Sequence, residues 1–246
     1  PMTLFRNYAD DMKLMDWLTK KIFPLEDKLD NDSAYWGASL AVLEMIKSGT
    51  TTFCDMYMFM DKVAEVCINS GIRCALSRGL SGDSGEGMDY RLSEAIQLYK
   101  DYNNQCDGRI KIMLSPHAVY TCTPPYLRKV AKKSLEYNIP IHVHVSETED
   151  EVKNCRIEYG VTPVKLLDET GLLKESTLAA HCVAVDDDDI RILKERNVSV
   201  SHNPGSNMKL ASGIAPISKM ISEGINVCLG TDGASSNNNL DMVEEM

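Results

Sequence analysis

All five histidines lie in or just after short apolar runs, and one more such run closes on an aspartate. The richest segment is Ile141-His142-Val143-His144-Val145-Ser146-Glu147. Residues two apart on a strand share a face, so His142 and His144 point the same way. Paired imidazoles alternating with valine can ligate a metal. Equally, one can be buried packing and the other its hydrogen-bonded neighbour. Glu147, just past the strand, is placed to carry protons for a metal-activated water. Thr231-Asp232-Gly233 sets a carboxylate on the turn leaving Val227-Cys228-Leu229-Gly230. That aspartate can be a ligand or can cap the next helix. His181, His202 and His117 end three further runs. His117, in Ser115-Pro116-His117-Ala118, can orient a substrate or close a loop. Neutral imidazoles and a carboxylate converging from separate elements are what a metal centre needs.

These side chains meet only if the runs carrying them share one sheet. Strand-like runs cover 50–55, 73–78, 110–115, 140–145, 177–182, 198–202 and 226–231. Helical patterns cover 35–47, 60–69, 91–102, 124–137, 161–168, 187–195 and 215–223. Near-continuous Val, Ile, Leu and Cys indicate strands buried on both faces, as in a parallel sheet. Strand–helix alternation leaves two architectures, a doubly wound sheet or a (β/α)8 barrel. Chemistry-bearing residues stand at nearly every strand end: Asp55, Arg78, His117, His144 with Glu147, His181, His202 and Asp232. A doubly wound sheet gathers its ligands at one switch point, whereas a barrel draws them from many strands. The spread favours the barrel. Seven units are one short of eight, with no strand before the first helical stretch and little chain after the last strand. The expectation is one domain over 1–246, a barrel lacking its first strand and C-terminal part, since a missing strand leaves unpaired edges. The alternative is a natural start after removal of an initiator Met before Pro1.

Composition narrows the class. Hydrophobic residues make up 43% and charged residues 25%, ordinary for a soluble globular chain. A net charge of -10 disfavours nucleic acid and anionic membranes as partners. The eight cysteines are scattered without a CxxC pair, which suits free thiols in a reducing cytoplasm. No apolar run is long enough to span a membrane, and the N-terminus is not a signal peptide, so the expected location is cytoplasmic. The glycine-rich stretch 81–87 reads as one long loop over a site, and it lacks the Lys-Ser/Thr of a phosphate loop. A serine nucleophile elbow and the cytidine-deaminase PCxxC signature are both absent. Trp17 and Trp36 read as helix-face packing, and the run 186–189 as a capped, solvated helix start.

Three segments resemble the amidohydrolase superfamily: Leu178-Ala179-Ala180-His181-Cys182-Val183, Ser201-His202-Asn203-Pro204-Gly205-Ser206-Asn207-Met208-Lys209-Leu210 and Leu229-Gly230-Thr231-Asp232-Gly233-Ala234. Pro116-His117-Ala118, His144-Val145-Ser146-Glu147-Thr148 and Phe23-Pro24-Leu25-Glu26-Asp27 look more narrowly like the 5-methylthioadenosine/S-adenosylhomocysteine deaminase family. The likeness runs over essentially the whole chain. It implies a (β/α)8 barrel with one divalent metal, usually zinc, with iron or manganese as alternatives. A first-strand His-x-His pair, a fifth-strand histidine and an eighth-strand aspartate would hold it. Here the histidine maps to His144, not His142, and the aspartate to Asp232. The first-strand pair is absent, and in such families it directly precedes the equivalent of Pro1-Met2-Thr3-Leu4. As written, the chain is expected to bind metal poorly.

The resemblance also implies roles. Glu26 would hold the ribose hydroxyls, His117 the purine, Arg78 and Arg91 an amino-acid carboxylate, and Ser236 the sugar. Asp232 would take a proton from the attacking water, Glu147 would shuttle it, and His181 would hydrogen-bond that water. The implied reaction converts the adenine of S-adenosylhomocysteine, 5′-methylthioadenosine or adenosine to the inosyl product and ammonia. Guanine or cytosine deaminases and triazine chlorohydrolases share the barrel motifs. A non-catalytic binding barrel is the alternative of a different class. The expected partner is a small adenosine thioether, with a homo-oligomer compatible.

Overall fold

The computed structural model describes residues 1–82 and 89–246. The expected long loop falls largely on 83–88, outside the described residues. The central runs become strands buried on nearly every residue, whereas the edge strands keep exposed positions such as Cys54 and Cys228. The strands are β1 (Thr52–Tyr57), β2 (Arg73–Leu80), β3 (Ile110–Pro116), β4 (Ile141–Val145), β5 (Thr177–His181), β6 (Ser199–His202) and β7 (Val227–Leu229). They form one sheet in the order β1-β2-β3-β4-β5-β6-β7, every neighbouring pair parallel. The order never reverses, so there is no switch point of the doubly wound kind. The sheet curls into an open half-barrel. Cys54 of β1, His142 of β4, Ala180 of β5 and Cys228 of β7 consequently line one interior cavity of about 300 Å³.

The helices pack outside this sheet. Leu114, Ile141, Val143 and Val145 are fully buried against Leu127 and Val130 of the helix Pro124–Tyr137, whose first position is proline. A second core joins β1, β2 and β3 to the helices Asn31–Lys47 and Met60–Ser70, through Val42, Met60, Val63, Leu76 and Ile112. A third gathers Phe5, Leu14, Trp17, Leu18 and Ile22 of the N-terminal segment with Leu210. The acidic run 186–189 caps a helix as expected, but Asp189 is buried and accepts from the Thr162 hydroxyl where a solvated residue was expected. Asp186 caps the helix Asp187–Glu195, and Asp189 returns the bond in a full capping box.

Several expectations shift. β1 begins and ends two residues later than the apolar run implied, so Asp55 lies inside the strand. The chain between β4 and β5 holds two helices, Glu149–Tyr159 and Pro163–Glu169, where the sequence pattern showed only the second. The first buries only Glu151 and Cys155, which leaves almost no apolar period to detect. Trp36 does not pack as expected. It is 69% exposed, because the helix Asn31–Lys47 turns Ala34, Ala38, Val42 and Met45 inward instead. No helix among the described residues is long and apolar enough to cross a membrane.

Ile141 is wholly enclosed and sits opposite both Leu114 and Thr177. Ile141→Ala is expected to cost about 2–5 kcal/mol in urea unfolding. A loss below about 1 kcal/mol would show that this layer is not close-packed.

Candidate functional site

The strand ends meet at one rim. His144 leaves β4 with its ring Nδ1 2.8 Å from the carbonyl oxygen of His117. A carbonyl only accepts, so Nδ1 carries the proton and the Nε2 lone pair is left free. Burial lowers the pKa of His144, and the nearby His181 lowers it further, keeping the ring neutral. His142 lies one pleat deeper, with its Nδ1 3.5 Å from the Cys54 thiol. Burial pushes it down to about 3, and its ring centroid is 6.1 Å from that of His144. Both histidines face the barrel interior; His142 lines only the cavity of about 300 Å³, and His144 lines that one and a larger one above it.

Asp232 follows β7 in a left-handed conformation, with φ of 60°. Its Oδ2 accepts from the Ser206 hydroxyl at 2.7 Å and its Oδ1 from the Gly233 amide at 2.7 Å. Burial works to raise its pKa, but His181, Ser206, His144 and the Gly233 amide outweigh burial and hold the carboxylate ionised. His181 ends β5 at φ 73°. Its Nδ1 donates to Asn207 Oδ1 at 2.8 Å, which leaves Nε2 facing Glu147 Oε2 at 3.6 Å. Burial raises Glu147 to about 7, while His144 pulls it down. Such a carboxyl can both give and take a proton near neutrality. The helix Pro204–Lys209 therefore steadies two site residues at once, through Ser206 and Asn207. Neither role was legible in the sequence, where this stretch read only as a family motif.

Non-glycine residues rarely take positive φ, and here Ser146 (48°), His181 (73°), Cys182 (47°) and Asp232 (60°) all do so at strand ends. The rim stores backbone strain where the chemistry-bearing side chains sit.

A cavity of about 460 Å³ opens above these groups. His144, Glu147, His181 and Asp232 form its floor, and His117 lies beside His144 with ring centroids 4.8 Å apart. Burial lowers His117 to about 3, so it meets a ligand as a neutral ring. Glu26, Arg78, Arg91 and Ser236 line the same cavity. Among the described residues Arg78 donates Nε to Glu94 at 2.9 Å and Nη1 to the Gly79 carbonyl at 2.8 Å. Arg91 is exposed and donates weakly to the Ser81 carbonyl at 3.3 Å. The Ser236 hydroxyl donates to the Gly233 carbonyl at 3.0 Å, so toward a ligand it can only accept. Trp17 packs in the N-terminal core as expected, yet it also walls this cavity, a role its sequence position did not show. His202, the remaining strand-end histidine, lines neither cavity.

Among the described residues no cluster of three or more His, Cys, Asp or Glu side chains could hold a metal alone. The chemistry of the pair His144 and Asp232 nonetheless fits one. A neutral imidazole with its second nitrogen fixed on a carbonyl and an ionised, hydrogen-bonded carboxylate are the usual zinc donors. Two donors would make only part of a coordination sphere.

A model of the amidohydrolase family matches residues 1–246. The chain belongs to the amidohydrolase family. It is 53% identical to the 5-methylthioadenosine/S-adenosylhomocysteine deaminase of Desulforudis audaxviator and 51% identical to that of Dictyoglomus thermophilum, each over 245 residues. Each match covers 100% of this chain and 57% of the relative, so the chain spans just over half the length of these curated proteins. Among solved structures, an adenosine deaminase from Xanthomonas campestris with bound zinc superposes with a TM-score of 0.93 at 34% identity, covering 100% of this chain and 56% of that one. A guanine deaminase from C. acetobutylicum with bound guanine gives 0.91 at 26%, covering 99% and 61%.

The His181–Asn207 bond lies in a site where both residues are 1% exposed. Asn207→Ala leaves a buried imidazole N–H without its acceptor and is expected to cost about 1–3 kcal/mol of unfolding free energy. A neutral result in a denaturant titration would mean that another group already satisfies His181.

Proposed function

We propose that this chain forms the catalytic body of a metal-dependent hydrolytic deaminase acting on adenosine thioethers. Its substrate would be S-adenosylhomocysteine or 5′-methylthioadenosine, and its products the inosyl compound and ammonia. One observation carries the reading. A single cavity joins Glu26, Arg78 and Arg91 to the floor made by Glu147, His181 and Asp232. A free base or a triazine offers neither a ribose diol nor an amino-acid carboxylate, so those three residues favour a nucleoside thioether. The likeness to curated deaminases of that name supports it.

His144 Nε2 and Asp232 would hold the divalent metal, read as zinc because that is the ion bound in the Xanthomonas campestris structure. When bound, such an ion lowers the pKa of a water toward about 7. The remaining work falls to the side chains. Asp232, held ionised, takes a proton from the attacking water as its oxygen bonds to the purine carbon bearing the amino group. His181, with Nδ1–H fixed on Asn207, presents Nε2 as acceptor to that water's other O–H and so aims its lone pair. Glu147, poised near neutrality, gives its proton to the ring nitrogen, takes up the proton that Asp232 drew from the water and passes it to the amine as the C–N bond breaks and ammonia leaves. The hydroxyl proton left on the attacked carbon returns through Asp232 to Glu147 as the C=O bond forms, which restores both carboxyls. Glu26 accepts from both ribose hydroxyls, and His117 bonds the purine edge. Arg78 and Arg91 bind the amino-acid carboxylate, while Ser236 accepts from the sugar. The apolar side chains of Leu14, Trp17 and Leu18 close the cavity against bulk water. The eight free thiols suit a cytoplasmic setting.

Ammonia release from each candidate substrate by the zinc-loaded full-length protein tests this. S-adenosylhomocysteine and 5′-methylthioadenosine are expected to turn over, and guanine, cytosine and chlorotriazines are not. No bound zinc together with no ammonia from any adenine nucleoside would instead mark a binding barrel. Glu147→Gln should retain zinc and lose about 10²- to 10⁴-fold in kcat. Near-normal turnover in that variant would refute the proton-carrier assignment. Arg78→Met should raise KM for S-adenosylhomocysteine about 10-fold or more while sparing 5′-methylthioadenosine, which has no carboxylate. Equal effects on both substrates would move the carboxylate site elsewhere.

A further inference from the structure

The turn that carries Glu147 is tied down by a second buried carboxyl that lines neither cavity. Glu151, 6% exposed, stands in the first turn of the helix Glu149–Tyr159. Its Oε1 accepts from the backbone N–H of Ser146 at 3.2 Å and its Oε2 from that of Glu147 at 2.7 Å. In an ordinary capping box this side chain would return to the N–H of the cap residue itself. The cap is Thr148, whose hydroxyl does its half by accepting from the Glu151 amide at 3.1 Å. Glu151 instead reaches one and two residues beyond the cap. From the other side the Ser146 carbonyl accepts from the amides of Val183 at 3.1 Å and Ala184 at 2.8 Å, in the chain leaving His181. Ser146 itself is held at φ 48°, a conformation that persists only when its surroundings enforce it.

We propose that Glu151 is a positioning residue for Glu147. It clamps both amide donors of the strained turn, so that the Glu147 carboxyl stays between His181 Nε2 at 3.6 Å and the Ser212 hydroxyl at 3.4 Å. The proposal rests on the reading that Glu147 carries the proton. Substrate-holding residues lie on other elements, Glu26 on the helix Phe23–Glu26 and Arg78 on β2. Loosening the clamp therefore degrades the geometry of the proton transfer and leaves binding intact.

The test compares Glu151→Gln with Thr148→Ala in the zinc-loaded protein, using 5′-methylthioadenosine. Glu151→Gln sets an amide NH2 against a backbone N–H, and it is expected to lower kcat about 10- to 100-fold with KM within about twofold. Thr148→Ala removes the ordinary cap of the same helix, so it should lower Tm and leave kcat unchanged. Wild-type kcat in Glu151→Gln, or equal kcat losses in the two variants, would overturn the proposal. Amide hydrogen exchange on the unaltered protein decides the matter if Glu151→Gln fails to fold. The Ser146 and Glu147 amides should be strongly protected, and exchange at unstructured-loop rates would refute the clamp. A wild-type protein inactive on every adenine nucleoside would defeat the functional reading, while the exchange result would still decide the clamp.

Discussion

The carbonyl of His117 accepts two hydrogen bonds from one residue, the backbone N–H of His144 at 3.0 Å and its ring Nδ1 at 2.8 Å. Between β3 and β4 the ladder register is a single pair, Leu114 with Ile141, and beyond it the Ser115 hydroxyl donates to the His142 carbonyl at 2.8 Å. The double contact joins the two strands at the rim. It also settles which nitrogen of His144 faces the cavity, because a carbonyl leaves the ring no choice of tautomer. Without it the central imidazole of the floor could rotate or present the wrong nitrogen.

The other floor groups depend on comparable ties. Asp232 and His181 come from β7 and β5, yet consecutive residues of the helix Pro204–Lys209, Ser206 and Asn207, secure them. Glu147 hangs on a turn bonded to Glu151 on one side and to the chain after β5 on the other. In a buried site every such bond is worth more than in water, and every missing partner costs more. The strained φ values at Ser146, His181 and Asp232 persist because these bonds and the packed strands beneath them leave no alternative.

The strands and their order were legible in the sequence because burial on both faces writes continuous apolar runs, and chemistry-bearing residues mark their ends. The acidic start at Asp186 was legible because capping is local. What stayed hidden depends on contacts far along the chain. The helix Glu149–Tyr159 shows little apolar period, since the residues it buries are Glu151 and Cys155. The paired histidines leave two readings open in the sequence, because the contacts that distinguish them, His142 with Cys54 and His144 with the His117 carbonyl, come from strands far along the chain. Ser206 and Asn207 had no signal beyond a motif, because their partners are about 26 residues away. Trp36 was misread for the opposite reason. Its helix turns Ala34, Ala38, Val42 and Met45 inward instead, and nothing local tells an inward tryptophan from an outward one.

The central claim is that His144 and Asp232, not His142 or His202, are this chain's share of a metal centre. Anomalous diffraction at the zinc edge from crystals of the zinc-loaded protein addresses it directly. The account predicts one peak about 2.0–2.2 Å from both His144 Nε2 and an Asp232 oxygen. A peak on His142 or His202, or none at the rim, would contradict it.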